Sequence, residues 1–164
     1  MFYDIDMTKI VFICEGNICR SPSAEFMFKH ALEVEGMRED FDVFSRATIL
    51  STRNESMSRR AKEQLRLHNI PYDENKIAKP LTRDEFDTAD YIIGMDNYNL
   101  VLLKRLIVIR PEDKKKIFKL LDFTDEKRDI ADPYYTGKFD VAYDDLDKGI
   151  KGLITFFKQQ QTKE

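Results

Sequence analysis

The amino-acid sequence predicts an α/β fold built on a parallel sheet. Short apolar runs rich in β-branched and aromatic residues alternate with segments of helical period, which is the pattern of successive βαβ units. A chain of 164 residues is long enough for one domain with its own core. Because no repeat or change of composition divides it, residues 1–164 are expected to form a single domain, with 1–8 as a short extension.

The first strand is expected over 9–13, where β-prone apolar residues precede a turn that contains glycine. From Pro22 the apolar spacing becomes helical, and Gly36 stands where a C-terminal cap is expected. Ser21 suits the N-cap position and Pro22 the first helical position. The sequence therefore predicts a strand, a loop and a helix in succession.

The remaining elements follow the same alternation. Further strands are predicted over 41–45, 91–95 and 116–120. Helices are predicted over 58–68, 81–88, 97–105 and 141–159. Asn69 can supply a left-handed cap before Pro71 stops the first of these helices. Ligands of parallel sheets bind beyond the carboxyl ends of the strands, and Cys14 occupies that place after the first strand.

Composition and charge exclude several classes of protein. With 42% hydrophobic and 35% charged residues, the chain is neither disordered nor dependent on disulfides. A net charge of −3 argues against a general nucleic-acid binder, and no apolar window has the length of a membrane span. Residues 1–9 carry two aspartates before the apolar run, which is the wrong order for a signal peptide, so a cytoplasmic, reducing compartment is expected.

The segment 14–21 has the composition of an anion-binding loop. Its consecutive backbone N–H groups lie between a strand end and a helix start, which favours phosphate. Cys14 is expected to be a thiolate, because helix N-termini and nearby arginines favour the charged form. Arg20 can hold two oxygens of a phosphoryl group. Taken alone, Cys14 could also be a buried core cysteine, but the surrounding residues favour a nucleophile with its electrostatic clamp.

A second motif, ADPYYTG, offers an acid. Attack of sulfur on phosphorus requires a group that protonates the departing oxygen, and Asp132 is a candidate. Tyr134 and Tyr135 follow it and can form the walls of a slot for an aromatic ring. In isolation, an Asp-Pro pair is more often only a turn.

The stretch VFICEGNICRSPSAE, residues 11–25, resembles the phosphate loop of the low-molecular-weight protein tyrosine phosphatases. MDNYN at 95–99 and ADPYY at 131–135 follow in the family's order, and the resemblance extends from about Lys9 to the C-terminus. This resemblance implies a three-layer α/β sandwich with a four-stranded parallel sheet and a phosphate loop between the first strand and the first helix. It also implies hydrolysis of phosphotyrosine monoesters on protein substrates.

By this resemblance, Cys14 forms a cysteinyl-phosphate intermediate, Arg20 binds phosphate, and Asp132 is first an acid and then a base. No cofactor is implied, and no cluster of His, Cys and Asp has the spacing of a metal site. The other positions that the resemblance assigns to phosphate or substrate binding are Glu15, Gly16, Asn17, Ile18, Cys19, Ser21, Tyr134 and Tyr135, with Ser45 and Asp96 in support.

Some positions depart from the family pattern. Glu15 stands where the family usually has an uncharged residue, and a carboxylate at the pocket rim should disfavour acidic substrate flanks. The segments 45–48 and 76–80 also differ, so the packing behind the loop is expected to differ. Cys19 matches a second cysteine that can form a reversible disulfide with the nucleophile, although a small core filler explains it equally well.

Three alternatives remain open. Arsenate reductases of related fold need additional cysteines, whereas this chain has two. Phosphoarginine phosphatases resemble this chain but differ from it at two places. They have a hydroxyl residue where Ile18 lies, and they lack the paired tyrosines. A non-catalytic module that captures phosphoproteins would need neither Cys14 nor Asp132. The expected partner is a phosphotyrosine protein, with no nucleic acid or membrane, while the oligomeric state and the physiological substrate do not follow from the sequence.

Overall fold

A four-stranded parallel sheet organises the part of the chain that the computed structural model describes, residues 7–163. Its strands are β1 (Thr8–Cys14), β2 (Phe41–Ala47), β3 (Tyr91–Gly94) and β4 (Ile117–Lys119). They lie in the order β2-β1-β3-β4, and every neighbouring pair is parallel. The predicted parallel sheet is confirmed, and Cys14 ends a central strand at the carboxyl edge of the sheet.

Helices cover both faces of this sheet. They are α1 (Arg20–Val34), α2 (Arg59–Leu67), α3 (Arg83–Thr88), α4 (Asn97–Leu106), α5 (Pro133–Thr136) and α6 (Phe139–Thr162). Short 3-10 segments lie at Arg38–Asp40, Pro111–Lys116 and Leu120–Phe123. Between residues 7 and 163, none of the helices has the length and apolar character needed to cross a membrane.

Alternation along β1 divides the core in two. Ile10 and Phe12 join a large cluster with residues of α1, α2 and α6, whereas Val11 and Ile13 join a smaller one with residues of α3 and α4. Successive side chains of a strand point to opposite faces, so a central strand that is apolar throughout supplies both clusters. The three-layer α/β sandwich is confirmed.

The start of α1 differs from the sequence prediction. Ser21 was expected as the N-cap, and this is wrong: the helix begins at Arg20, and Cys19 is the N-cap. The Ser21 hydroxyl instead contacts the sulfur of Cys14 and the amide of Asn17, so it is not available to cap a backbone amide. Pro22 still fits the first turn, where a backbone N–H has no helical partner.

Other element boundaries also shift. The helix predicted over 81–88 begins at Arg83, because the side chain of Thr82 accepts from the amide of Glu85 in a capping box. The last helix is longer than the predicted 141–159. The segment after Asp132 was predicted as a turn and is the one-turn helix α5. The predicted extension 1–8 falls largely on residues 1–6, outside the described residues, and β1 begins at Thr8.

Candidate active site

The loop between β1 and α1 is curled, and its carbonyl oxygens bond to the segment that follows β2. Thr52 Oγ1 donates to Gly16 O at 2.8 Å, and Ser58 N donates to Ile18 O at 2.8 Å. Within residues 7–163, the backbone N–H groups of 15–19 have no protein acceptor. A row of free N–H groups at a helix start has the arrangement expected of the anion-binding nest that the sequence predicts.

Two backbone positions make this curl possible. A Cβ on Gly16 would lie 3.2 Å from Thr52 Cγ2, which is tighter than ordinary contact. Asn17 has a φ of 56°, in the left-handed region that asparagine tolerates better than most residues. Steric constraints therefore explain why a glycine is followed by an asparagine at this point of the loop.

Cys14 lies at the end of β1 with its sulfur among hydrogen-bond donors. Ser21 Oγ is 3.0 Å from Cys14 Sγ, and Ser21 N donates to the same sulfur at 3.4 Å. The residue is only 4% exposed. Ser21 N is a donor to this sulfur, and the Ser21 hydroxyl can be a second one, an arrangement that stabilises negative charge on sulfur.

Arg20 is the largest fully buried side chain, at 2% exposure among the described residues. Its NH1 donates to Asp96 Oδ2 at 2.7 Å and to Ile130 O at 2.6 Å, and its NH2 donates to Asp132 Oδ2 at 3.1 Å. Burial opposes the charge, yet Cys14, Asp132 and Asp96 together raise the pKa of Arg20 above its usual value. Arg20 Nε is buried and has no partner within the described chain, so it is a donor available to an oxyanion.

Asp132 is positioned by the helix that the sequence prediction missed. As the N-cap of α5 it accepts from Tyr134 N at 3.0 Å through Oδ1, which leaves Oδ2 to face Arg20. Pro133 follows at the first helical position, and Gly137, with a φ of 74°, ends the helix. The Asp-Pro pair is therefore a helix start that aims a carboxylate.

A cavity of about 280 Å³ opens over Cys14. Tyr134 and Tyr135 pack edge to face, with ring centroids 5.2 Å apart, on one of its walls. The residues that line it are Cys14, Glu15, Gly16, Ile18, Cys19, Ile49, Ser51, Thr52, Glu55, Asp132, Tyr134 and Tyr135. Ile49, Thr52 and Glu55 were not predicted as site residues, because they come from the loop after β2, where no local pattern marks them.

Five predicted residues are not among those that line the cavity, namely Asn17, Arg20, Ser21, Ser45 and Asp96. Asn17 Nδ2 donates to Ser21 Oγ at 2.8 Å and to Ser45 Oγ at 3.0 Å, behind the loop. Asp96 follows β3 and holds the guanidinium of Arg20. These side chains support the loop and its arginine from outside the cavity.

The second cysteine differs from the first in its surroundings. Cys14 and Cys19 are both free thiols. Burial, with a further contribution from Cys14, raises the pKa of Cys19 to about 12. Cys19 is therefore a protonated thiol at neutral pH. Among the described residues, no group of three or more His, Cys, Asp and Glu side chains could hold a metal ion.

Glu15 reaches across the mouth of the cavity. Tyr135 Oη donates to Glu15 Oε2 at 3.1 Å, which joins the phosphate loop to α5. This hydrogen bond raises the pKa of Tyr135 above its usual value, because it holds the phenol proton against a carboxylate. The carboxylate of Glu15 thus lies at the rim and is tied to the opposite wall.

Comparison with known proteins matches residues 9–163 to the family model described as low molecular weight phosphotyrosine protein phosphatase. This chain belongs to that family. A curated relative, the low molecular weight protein-tyrosine-phosphatase PtpA of Staphylococcus haemolyticus, is 35% identical over 160 residues, which cover 96% of this chain and 99% of the relative.

Solved structures share the fold of this chain. YfkJ from Bacillus subtilis has a TM-score of 0.87 at 28% identity, covering 94% of this chain and 96% of that one. A drosophila arginine phosphatase has a TM-score of 0.80 at 27% identity, covering 92% of this chain and 98% of that one. The family fold therefore accommodates relatives named for different phosphorylated residues.

Proposed function

We propose that this protein hydrolyses phosphotyrosine monoesters on proteins through a cysteinyl-phosphate at Cys14. One observation supports the proposal: the buried guanidinium of Arg20, at the end of the loop that follows Cys14, bonds to both Asp132 and Asp96 and keeps an Nε without a partner among the described residues. The arrangement combines a nucleophile, an oxyanion clamp and an acid in one site.

The reaction takes two steps. In the first, the thiolate of Cys14 attacks phosphorus, the bond from phosphorus to the phenolic oxygen breaks, and Asp132 gives its proton to that oxygen. In the second, Asp132 takes a proton from water, the water oxygen bonds to phosphorus, and the bond to sulfur breaks. Arg20 and the amides of 15–19 balance the charge on the equatorial oxygens in both steps.

The lining of the cavity favours an aromatic ester. Ile18 presents an apolar side chain, and Tyr134 and Tyr135 can flank a ring. Phosphoarginine is the second candidate substrate, and the likeness to the drosophila arginine phosphatase favours it. Ile18 argues against it, because the phosphoarginine phosphatases that this sequence resembles have a hydroxyl residue at that position. Arsenate reduction is disfavoured, because the chain has only two cysteines.

Acidic side chains at the rim of the cavity affect which substrates can bind. Glu15 and Glu55 both line the cavity that contains Cys14. Carboxylates at the entrance repel acidic side chains that flank a phosphotyrosine and attract basic ones. The preferred substrates are therefore phosphotyrosine segments without acidic neighbours.

The setting of this activity is part of the proposal. We expect one catalytic domain, acting in the cytoplasm on phosphoproteins. A reversible disulfide between Cys14 and Cys19 remains a proposal, supported by their place in one loop and by the free state of both thiols.

A side-by-side assay of p-nitrophenyl phosphate, a phosphotyrosine peptide, a phosphoarginine peptide and arsenate tests the proposal. The phosphotyrosine peptide should be turned over fastest, with inhibition by vanadate. Cys14→Ser should abolish turnover while phosphate binding remains measurable by calorimetry. Asp132→Asn should lower kcat by roughly 100- to 10,000-fold, the usual contribution of a positioned acid. Turnover by Cys14→Ser, or preference for phosphoarginine, would contradict the proposal.

A further inference from the structure

Arg60 joins the helix α2 to the short helix that carries the proposed acid. Its NH2 donates to Gly137 O at 2.8 Å, and its Cζ lies 4.6 Å from the centroid of the Phe139 ring. Gly137 is the C-cap of α5, and Phe139 is the first residue of α6. One side chain therefore contacts both sides of the junction between α5 and α6. It does not line the cavity over Cys14, and the mechanism above assigns it no role.

The position of Arg60 in its own helix is unfavourable for a cation. Arg60 is the second residue of α2, whose first turn contains no acidic residue. A helix N-terminus carries a partial positive charge, so a cation there is destabilising. The carbonyl oxygens at the end of a helix lack helical partners, and a cation suits them. Gly137 O at the end of α5 therefore gives Arg60 the partner that α2 does not supply.

α5 depends on contacts of this kind, because it is a single turn at the surface. A helix of four residues is too short to be stable through its own hydrogen bonds. Tyr134 and Tyr135 are exposed, and Pro133 is the one buried residue of the four. The orientation of α5 is therefore set by the groups that hold it from outside.

The start and the middle of α5 are held from the phosphate loop. Arg20 donates to Asp132 at the start, and Tyr135 donates to a carboxylate of the loop from the middle. Arg60 holds the end of the helix, and it does so from α2. Removing the guanidinium of Arg60 thus leaves α5 attached to the loop but releases its far end.

Hydrogen bonds within α5 couple this end to the acid. Gly137 N donates to Pro133 O at 2.8 Å, and Thr136 N donates to Asp132 O at 3.1 Å. These bonds make residues 132–137 one turn that moves as a unit. A displacement of the turn at Gly137 therefore also displaces Asp132.

The start of α2 is itself fixed to the phosphate loop. Ser58 is the N-cap of α2, and its backbone N–H donates to Ile18 O at 2.8 Å. Arg60 follows two residues later. α2 therefore connects the phosphate loop with the end of α5 by a route that does not pass through Arg20.

We infer that Arg60 is a positioning residue: by holding the end of α5 against α2, its guanidinium keeps the carboxyl group of Asp132 where it can protonate the leaving group. The inference rests on the proposed function, because it takes Asp132 as the acid. Arg20 still holds Asp132 when Arg60 is changed. The expected effect is therefore a partial loss of acid catalysis.

The dependence of kcat/KM on the leaving group tests this inference. Phenyl phosphate releases a phenol with a pKa of about 10, as tyrosine has, and needs a proton from the acid. The phenolate of p-nitrophenyl phosphate is stabilised by its nitro group and needs that proton less. Arg60→Met should lower kcat/KM by about 3- to 10-fold for phenyl phosphate and by less than about 2-fold for p-nitrophenyl phosphate, because a displaced acid loses part of its contribution. Arg60→Lys keeps a charged donor and should recover most of the loss.

Arg59→Met is the matched control. Arg59 is the preceding residue of the same helix and is exposed, and it pairs with Glu63 at 3.7 Å. Among the described residues it makes no hydrogen bond or ion pair with α5. Both kcat/KM values should change by less than about 2-fold, as is usual for exposed positions. Equal losses for the two esters in Arg60→Met, or the same selective loss in Arg59→Met, would overturn the inference.

A double variant shows whether Arg60 acts through Asp132. Asp132→Asn has no acid to position, so adding Arg60→Met should cause no further selective loss for phenyl phosphate. A purely structural role of Arg60 would lower kcat/KM again in this background. A further selective loss as large as that in the wild-type background would therefore overturn the inference.

Failure of the proposed function gives a different result from failure of the inference. If Asp132→Asn discriminates between the two esters and Arg60→Met does not, only the inference fails. If Asp132→Asn lowers both values equally, or if the wild type hydrolyses neither ester, the proposed function fails. Amide hydrogen exchange of 133–137 then decides the positioning role: faster exchange in Arg60→Met than in Arg59→Met supports it, and equal exchange overturns it. If circular dichroism shows that Arg60→Met does not fold, Arg60→Gln replaces it with the same outcomes.

Discussion

The two cysteines of the loop differ in how well their surroundings accommodate a charged sulfur, because different groups lie next to the two sulfur atoms. Both residues are buried, but Ser21 N donates to Cys14 Sγ and Ser21 Oγ lies 3.0 Å from the same sulfur, whereas Cys19 is the N-cap of α1. Burial makes the charged form costly, and the charge of Cys14 adds to this cost, so the pKa of Cys19 rises to about 12. Between neutral pH and about pH 9, Cys19 remains a protonated thiol.

Iodoacetamide should therefore spare Cys19 at neutral pH and up to about pH 9, since the thiolate is the reactive form, and alkylation should fall on Cys14 instead. Tandem mass spectrometry of the peptide that contains both residues distinguishes the two sites. In Cys14→Ser, which also removes the neighbouring negative charge, burial still raises the pKa of Cys19, so its labelling should stay slow at neutral pH and should rise at a lower pH than in the wild type. Rapid labelling of Cys19 at neutral pH in either protein would be the contrary result.

Individual site residues differ in how far the sequence predicts them. Cys14 and Arg20 follow from spacing, because a nest and its clamp occupy consecutive residues between a strand and a helix. Asp132 needed the family resemblance, since its distance from Arg20 is set by the packing of α5. Glu55 was not predicted as a site residue, because tertiary packing alone brings it to the cavity.

Glu15 is the residue at which substrate choice should change. Glu15→Gln keeps a partner for Tyr135 but removes the rim charge, so kcat/KM for peptides with acidic flanks should rise by about 3- to 10-fold, while peptides with neutral flanks change little. The measurement is kcat/KM on matched phosphotyrosine peptides at low and high salt. The gain should shrink at high salt, because screening already weakens the repulsion in the wild type.

Tyr135→Phe is the matched control for Glu15, since it removes the hydrogen bond and keeps the charge. It should preserve the wild-type preference for flanking residues. An equal gain in Tyr135→Phe would assign the effect to the hydrogen bond across the mouth, and no gain in Glu15→Gln would exclude rim charge as the cause.

At the scale of elements, the long apolar and periodic segments were predictable and the short capped ones were not. β1 appears in the sequence as a continuous apolar run, and α6 carries enough buried side chains to show its helical period. α5 has four residues, too few for a period, and it exists because Asp132 caps it and Gly137 ends it. The start of α1 was misplaced because a serine before a proline reads as an N-cap, whereas Ser21 is engaged by Cys14 and Asn17.

α6 packs so closely on the 3-10 segment at Leu120–Phe123 that two of its glycines, Gly149 and Gly152, lie at the contact. A Cβ on Gly152 would overlap the carbonyl group of Phe123, which is backbone and cannot turn aside. Gly152→Ala should lower Tm, because an overpacking cost of about 1–3 kcal/mol exceeds the gain of up to about 1 kcal/mol in helix propensity.

Thermal unfolding followed by circular dichroism measures this change, at roughly 2–4 °C for each kcal/mol in a chain of this size. Lys151→Ala, at the exposed neighbouring position of the same helix, should change stability by less than about 0.5 kcal/mol. A Tm for Gly152→Ala at or above that of the wild type would mean that α6 can shift away without cost.

In the whole molecule, Arg20 connects three parts of the chain that are distant in sequence. Arg20 lies at the start of α1. Its guanidinium donates to Asp96 at the start of α4, to Ile130 O in the loop before α5, and to Asp132 at the start of α5. These segments follow different strands and meet at the carboxyl edge of the sheet. An anion that engages Arg20 should therefore stabilise all three segments together.

Hydrogen exchange with and without inorganic phosphate tests this coupling. At a phosphate concentration near 100 Kd the protein should gain about 2.7 kcal/mol of stability, and protection should increase at 96–99 and 130–136 as well as at 14–21. Arg20→Lys should bind phosphate more weakly and lose the added protection at the two distant segments, since a single ammonium cannot replace the planar, five-donor fork. Cys14→Ser should keep both effects, because it retains the arginine and the free amides. Protection confined to 14–21 in the wild type would show that the arginine holds the anion without coupling the loops.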